Sequence, residues 1–147
     1  MRSLERCRRQ KAQGLVEAAL ALMLLVPLAL GLVALLRLQQ AQTGVDAVVY
    51  EAARAAVLAN SSQEAQDLGF SRGQAIGPAY GLVNGTLEVA IDAQPFERGE
   101  PVQATATYIV HFDDLPLLGW ARRQVNAQHA EYVETYRSLL PVPGGGR

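Results

Sequence analysis

The chain has 147 residues, half of them apolar, and a formal net charge of −1, enough for one small domain once a membrane segment is set aside. The near-zero charge conceals a split: residues 1–11 carry five basic side chains and one acid, whereas residues 38–147 carry seven basic and twelve acidic ones, so the folded part lacks the basic face that nucleic acid requires. The single cysteine, Cys7, excludes an intramolecular disulfide and a cysteine metal site, and it precedes the apolar run that a lipid-modified cysteine would follow.

That run, Leu15–Leu36, reads LVEAALALMLLVPLALGLVALL, with Glu17 as its one formal charge. A hydrocarbon core of about 30 Å takes roughly 20 apolar residues of helix, so the run is long enough to cross a bilayer. A secretory signal has an apolar core of about 7–15 residues and ends at a small-x-small site. Here the run is longer and passes into Arg37-Leu38-Gln39-Gln40 without such a site. The bland alternative is a buried core helix, which so small a remaining domain could not surround on all sides, so the run is read as a membrane span. The basic flank on its N-terminal side places that end in the cytoplasm, as a single-pass protein of the cytoplasmic membrane with the rest of the chain outside. Pro27 and Gly31 are placed to bend or loosen the helix near its middle.

The helix is expected to continue beyond the span. Leu38, Ala41, Val45, Val48, Val49, Ala52 and Ala56 recur at three- and four-residue spacing, an amphipathic stripe. Continued to residue 59, the rod has about 45 residues and a length of roughly 65–70 Å. Asn60-Ser61-Ser62 ends it. Ser61-x-x-Glu64 reads as a capping box, and Ser71-x-x-Gln74 repeats the device after Gly69, so residues 62–82 form one interrupted helix or two short ones.

From Thr86 the period changes to two. Leu87, Val89 and Ile91 share one side of a short strand, and Val102, Ala104, Ala106, Tyr108, Val110 and Phe112 share one side of a longer one. A loop with Pro95, Gly99 and Pro101 joins them as a hairpin. A third strand runs from about Arg122 to Tyr136, with Val125, Ala127, His129, Glu131 and Val133 on one side, although its end also suits a helix. The expected fold is α+β: a long N-terminal transmembrane helix continuing into an amphipathic helix, packed on a small antiparallel sheet. The domain map is 1–12 basic leader, 13–59 span and extended helix, 60–140 outer domain and 141–147 flexible tail.

The junction before the span carries a resemblance. Lys11-Ala12-Gln13-Gly14-Leu15-Val16-Glu17-Ala18-Ala19-Leu20 combines a basic leader, small residues and a glutamate early in an apolar helix. It resembles a type IV pilin leader, and more closely the TadE/TadG-like proteins of the tight-adherence pilus. Gln13, Leu15, Val16, Glu17, Ala19 and Leu20 fit that family's pattern, as do Pro27 and Glu51-Ala52-Ala53-Arg54, a likeness covering roughly residues 8–58. Ala12 stands where the family usually has glycine, and Ala18 replaces its common aromatic. The resemblance implies a pilin-like minor pilin or pseudopilin that is cut by a prepilin peptidase at Ala12-Gln13 or after Gly14. It implies other pilin subunits, the inner-membrane assembly platform and membrane lipid as partners, and an extracellular filament as the destination after processing. It also implies that Glu17 pairs with a neighbouring subunit's new N-terminal amine. Physically, a carboxylate at the lipid end of a helix calls for a partner; the plainer alternative is that Glu17 snorkels to the headgroups. The alternative function is a permanently anchored, unprocessed binding or sensor domain, with a membrane-anchored enzyme a distant third.

No catalytic, cofactor or metal site is expected. His111, Asp113 and Asp114 cluster at a strand end, but His129 is the only other histidine, and solvated strand-end charges account for them. Asn60-Ser61-Ser62 and Asn84-Gly85-Thr86 match glycosylation sequons, which arise often by chance. Leu117, Leu118 and Trp120 form either a docking patch for a partner or the membrane surface, or a cover for the end of the core.

Overall fold

A computed structural model describes residues 2–83 and 85–133, with side chains from residue 13 onward. The side chains of the leader, Cys7 and Ala12 included, lie outside the described residues, as do Asn84 of the second sequon, the C-terminal end of the third strand and the tail 141–147.

Helix α1 runs without interruption from Arg2 to Ala56. It therefore begins within the expected leader and ends at Ala56 rather than 59. Pro27 and Gly31 sit inside continuous helix. Pro27 has no N–H to give the Met23 carbonyl, so a donor is missing there. Two turn bonds, Val57 N–H to Ala53 C=O and Leu58 N–H to Ala55 C=O, close the rod.

Helix α2 (Ser62–Ile76) starts with the expected Ser61 cap, whose extended backbone lets Oγ accept from the Glu64 N–H at 3.2 Å. Glu64 Oε2 returns to the backbone N–H of Asn60 at 2.8 Å, so the box closes one residue further back than the usual pattern. The second box does not form. Ser71 lies in mid-helix with its hydroxyl donating to the Leu68 carbonyl, and Gln74 reaches across to the Leu87 carbonyl. Residues 62–76 are one helix because Gly69 and Gly73 are contact positions and not breaks. A Cβ on Gly69 would lie 2.8 Å from Ile91 Cγ1 and 3.1 Å from the Ala52 carbonyl oxygen, and one on Gly73 would lie 3.0 Å from Val89 Cγ1. The helix settles into the angle between α1 and the sheet only because these side chains are absent. A 3₁₀ turn, Gly77–Tyr80, follows.

The strands β1 (Leu87–Asp92), β2 (Pro101–His111) and β3 (Arg122–Tyr132) form one antiparallel sheet in chain order. Leu87 pairs with Tyr108 and Ala104 with His129. The inward side of each strand is the side that alternation selects: Val89 on β1, Val102 to Val110 on β2, and Val125, Ala127, His129 and Val133 at and beyond β3. One face of the sheet lies on the two helices. The other presents Gln103, Thr105, Asn126 and Gln128 to solvent.

The core is built from small side chains. On α1, Val45, Val48, Ala52, Ala53 and Ala56 are fully buried, and Ala41 and Val49 nearly so. They face Ala104, Ala106, Tyr108, Val110, Phe112 and Val125. A second cluster, with Ala56, Ala59, Ala65, Ala93, Val102 and Val133, closes the end of the domain far from the span. One buried methyl contributes only about 0.8 kcal/mol, so such a core is stabilised by close approach of the backbones over a long seam. Two ion pairs flank it. Arg72 on α2 meets Glu51 on α1 at 2.9 Å, and Arg37 forks onto both carboxylate oxygens of Asp114, beyond β2.

Gly69→Ala tests the seam. In an exposed helix that change would gain about 1 kcal/mol; here overpacking costs about 1–3 kcal/mol, and the net result is a lower midpoint in denaturant unfolding of the detergent-solubilised protein. Gly31→Ala, with no atom within 4 Å of the added carbon, is the tolerated control. A second test concerns Asp114, whose carboxyl is held below the usual carboxylate range by hydrogen bonds from Arg37. A lowered folded pKa adds stability that is present above the ordinary value and lost as pH falls through the lowered one. Both groups are exposed, so the effect is small. Asp114→Asn should lower the melting temperature slightly at neutral pH, with the difference between the two proteins disappearing as pH falls below the usual carboxylate range.

Candidate functional site

The feature that sets this molecule apart from a soluble domain is the apolar half of α1. Leu15, Leu20, Met23, Leu24, Leu28, Leu32 and Leu35 are exposed, at 60–77% of their full surface. A fully exposed leucine forgoes about 1.5–3 kcal/mol of burial, so a rod of them requires lipid or other helices around it. One helix of the described residues, Gln13–Ala56, is long and apolar enough to cross a membrane.

The junction lies inside that helix. Gln13 and Gly14 are exposed, and apart from the helix's own backbone nothing lies within 4 Å of a Cβ placed on Gly14, so no other part of the described chain covers this turn. Glu17 is exposed among Leu15, Val16 and Leu20, and among the described residues it has no ion-pair or hydrogen-bond partner. Whatever neutralises Glu17 in an apolar surrounding therefore comes from outside those residues.

A second region gathers where the domain meets the span. Arg37 and Asp114 form one wall of an open groove of about 450 Å³ that is also lined by Gln40, Tyr80, Tyr108 and His111. His111 Nδ1 lies 3.7 Å from Asp113 Oδ2. His129 is elsewhere, its ring 5.2 Å from that of Tyr50 and its Nε2 3.4 Å from Glu131. Thus the two histidines do not converge, and among the described residues no group of three His, Cys, Asp or Glu side chains is placed to hold a metal ion. The expected apolar patch divides: Leu118 packs on the core beside buried Leu115, whereas Leu117 and Trp120 are 71% and 83% exposed.

Two features escaped the reading of the sequence. The Arg37–Asp114 fork joins residues 77 positions apart, for which no local pattern exists. The glycines at 69, 73 and 77 do carry a signal, since a four-residue spacing puts them on one helical face.

Residues 12–54 match the model of a family described as TadE-like protein. No curated protein and no solved structure gives a significant match. The matched stretch starts at the junction, includes Glu17 and Pro27, and ends in the last turn of α1, leaving α2 and the sheet outside it. Over that stretch, and not beyond it, the chain is similar to the TadE-like family.

Proposed function

We propose that the chain is a minor pilin or pseudopilin of a tight-adherence pilus, held in the cytoplasmic membrane with its N-terminus inside. The observation that carries this reading is the pairing of an all-round apolar rod with a Glu17 close to its start that has no partner among the described residues, on the helix that matches the TadE-like model. A simple anchor needs the apolar run but not the carboxylate. In an assembly of such rods, the carboxylate meets a free amine at the start of a neighbouring helix, and the leucines that faced lipid face other subunits. The partners are a prepilin peptidase that cuts at Ala12-Gln13, other pilin subunits and the inner-membrane platform. After cutting, the subunit joins or caps an extracellular filament, and its role is structural, without a catalytic step of its own.

One observation favours the second reading, a permanently anchored outer domain. The backbone is helical straight through residues 12–14, so a peptidase must first unwind this turn to reach the bond.

The N-terminal sequence of the purified protein separates the two. With active prepilin peptidase the mature chain begins at Gln13, and without it at Met1. An intact Met1 under both conditions means a permanent anchor. Glu17→Ala is expected to abolish piliation, scored by filament yield, while membrane fractionation shows normal insertion. Filaments at the ordinary level would remove Glu17 from assembly.

A further inference from the structure

The loop between β2 and β3 sits lower on the molecule than its place in the chain suggests. The fork from Asp114 fixes it to Arg37, the first residue after the apolar run. Leu30, Ala34 and Leu38 of α1 are half-buried against the core cluster that contains Phe112 and Leu115, and Leu118 and Ala121 of the loop pack on the same cluster. Leu30 is seven residues below Arg37, so the domain reaches about 10 Å down a face of the span. The run Leu15–Leu36 is about 33 Å long and fills a hydrocarbon core of about 30 Å, which puts this end of the domain at the level where acyl chains meet headgroups.

The chemistry of the loop fits that depth. Leu117 and Trp120 project away from the protein. Several polar groups of the loop are paired internally: the Trp120 indole N–H donates to the Leu117 carbonyl at 3.1 Å, and the amides of Leu115, Leu118 and Ala121 donate to the carbonyls of Phe112, Leu115 and Leu118. Backbone near lipid requires such pairing. Leu117 has φ +68°, a left-handed conformation that a leucine adopts only at a cost, so the turn presents this side chain against backbone preference. Exposed Arg122 and Arg123 follow directly and Arg37 offsets Asp114, so with exposed Asp113 counted the rim is still net cationic, which suits lipid phosphate.

We propose that the tip of this loop forms a foot in the bilayer: Leu117 and Trp120 enter the leaflet on the domain's side, beside the span, with Asp113 and Asp114 on the aqueous side and Arg122 and Arg123 at the phosphates. A second copy of the chain is the poorer occupant, because two side chains cover far less than the roughly 1,000 Å² of a stable protein interface. The inference rests on α1 as a membrane span and is independent of any filament.

Trp120 is the only tryptophan, so its fluorescence in the full chain, reconstituted into phosphatidylethanolamine–phosphatidylglycerol vesicles, reports on the foot directly. The expected result is a blue-shifted emission, poor quenching by aqueous iodide, and stronger quenching by lipids labelled high on the acyl chain than by lipids labelled near its end. Leu117→Gly, which relieves the left-handed backbone and so keeps the fold by circular dichroism, should reduce the lipid quenching. Red emission open to iodide, in a protein that resists alkaline carbonate extraction, overturns the foot and leaves the anchor standing. Loss of the protein to carbonate overturns both. Emission that responds to protein dilution but not to labelled lipid assigns the patch to a second copy and likewise overturns the proposal.

Discussion

The whole molecule depends on one helix that needs two different surroundings. From Leu15 to Leu36 α1 carries many large apolar side chains, most of them uncovered, whereas from Ala41 to Ala56 its side chains are small on one face and buried there. The change from leucine to alanine and valine along a single rod decides where the domain can sit. Leucines stand far from the axis and suit fluid hydrocarbon. Alanines let a sheet and a second helix come close to the backbone, and that closeness is what a core with few large side chains has to rely on.

The seam imposes matching demands on its partners. The inward side of β2 repeats alanine at 104 and 106, opposite the alanines of α1. Helix α2 meets both surfaces at once through Gly69 and Gly73, between Ala52 on one side and Val89 and Ile91 on the other. Large side chains enter only at the margins, with Tyr108, Phe112 and Leu115 near the span. The core therefore has its larger side chains toward the apolar run and its smaller ones away from it, and the loop beyond β2 fills the wide end.

Periodicity made most of this readable in advance. The six inward positions from Val102 to Phe112 could belong only to a strand, and Val125 to Val133, though weaker, chose the correct side of β3. The stripe from Leu38 to Ala56 named the buried face of α1. What misled was the glycine at 69, which by itself signals a break and here marks a crossing of backbones; only the surroundings distinguish the two. Leu117, Leu118 and Trp120 looked like one patch because composition does not reveal how a turn distributes side chains. At the junction, Glu17 was conspicuous as a lone charge in an apolar run, and the structure adds that its own subunit's described residues offer it nothing.

The grip of the domain on α1 extends from Leu30 to Ala56, seven turns of helix held by a sheet, a second helix and two ion pairs. Such an attachment leaves little room for a swivel between the domain and the apolar half of α1. A force applied to the sheet, or a twist applied to α2, is delivered to the upper part of the span as a push or a turn of the whole rod. The domain is in that sense a handle, and anything that grasps it gains leverage on a helix long and apolar enough to cross a membrane.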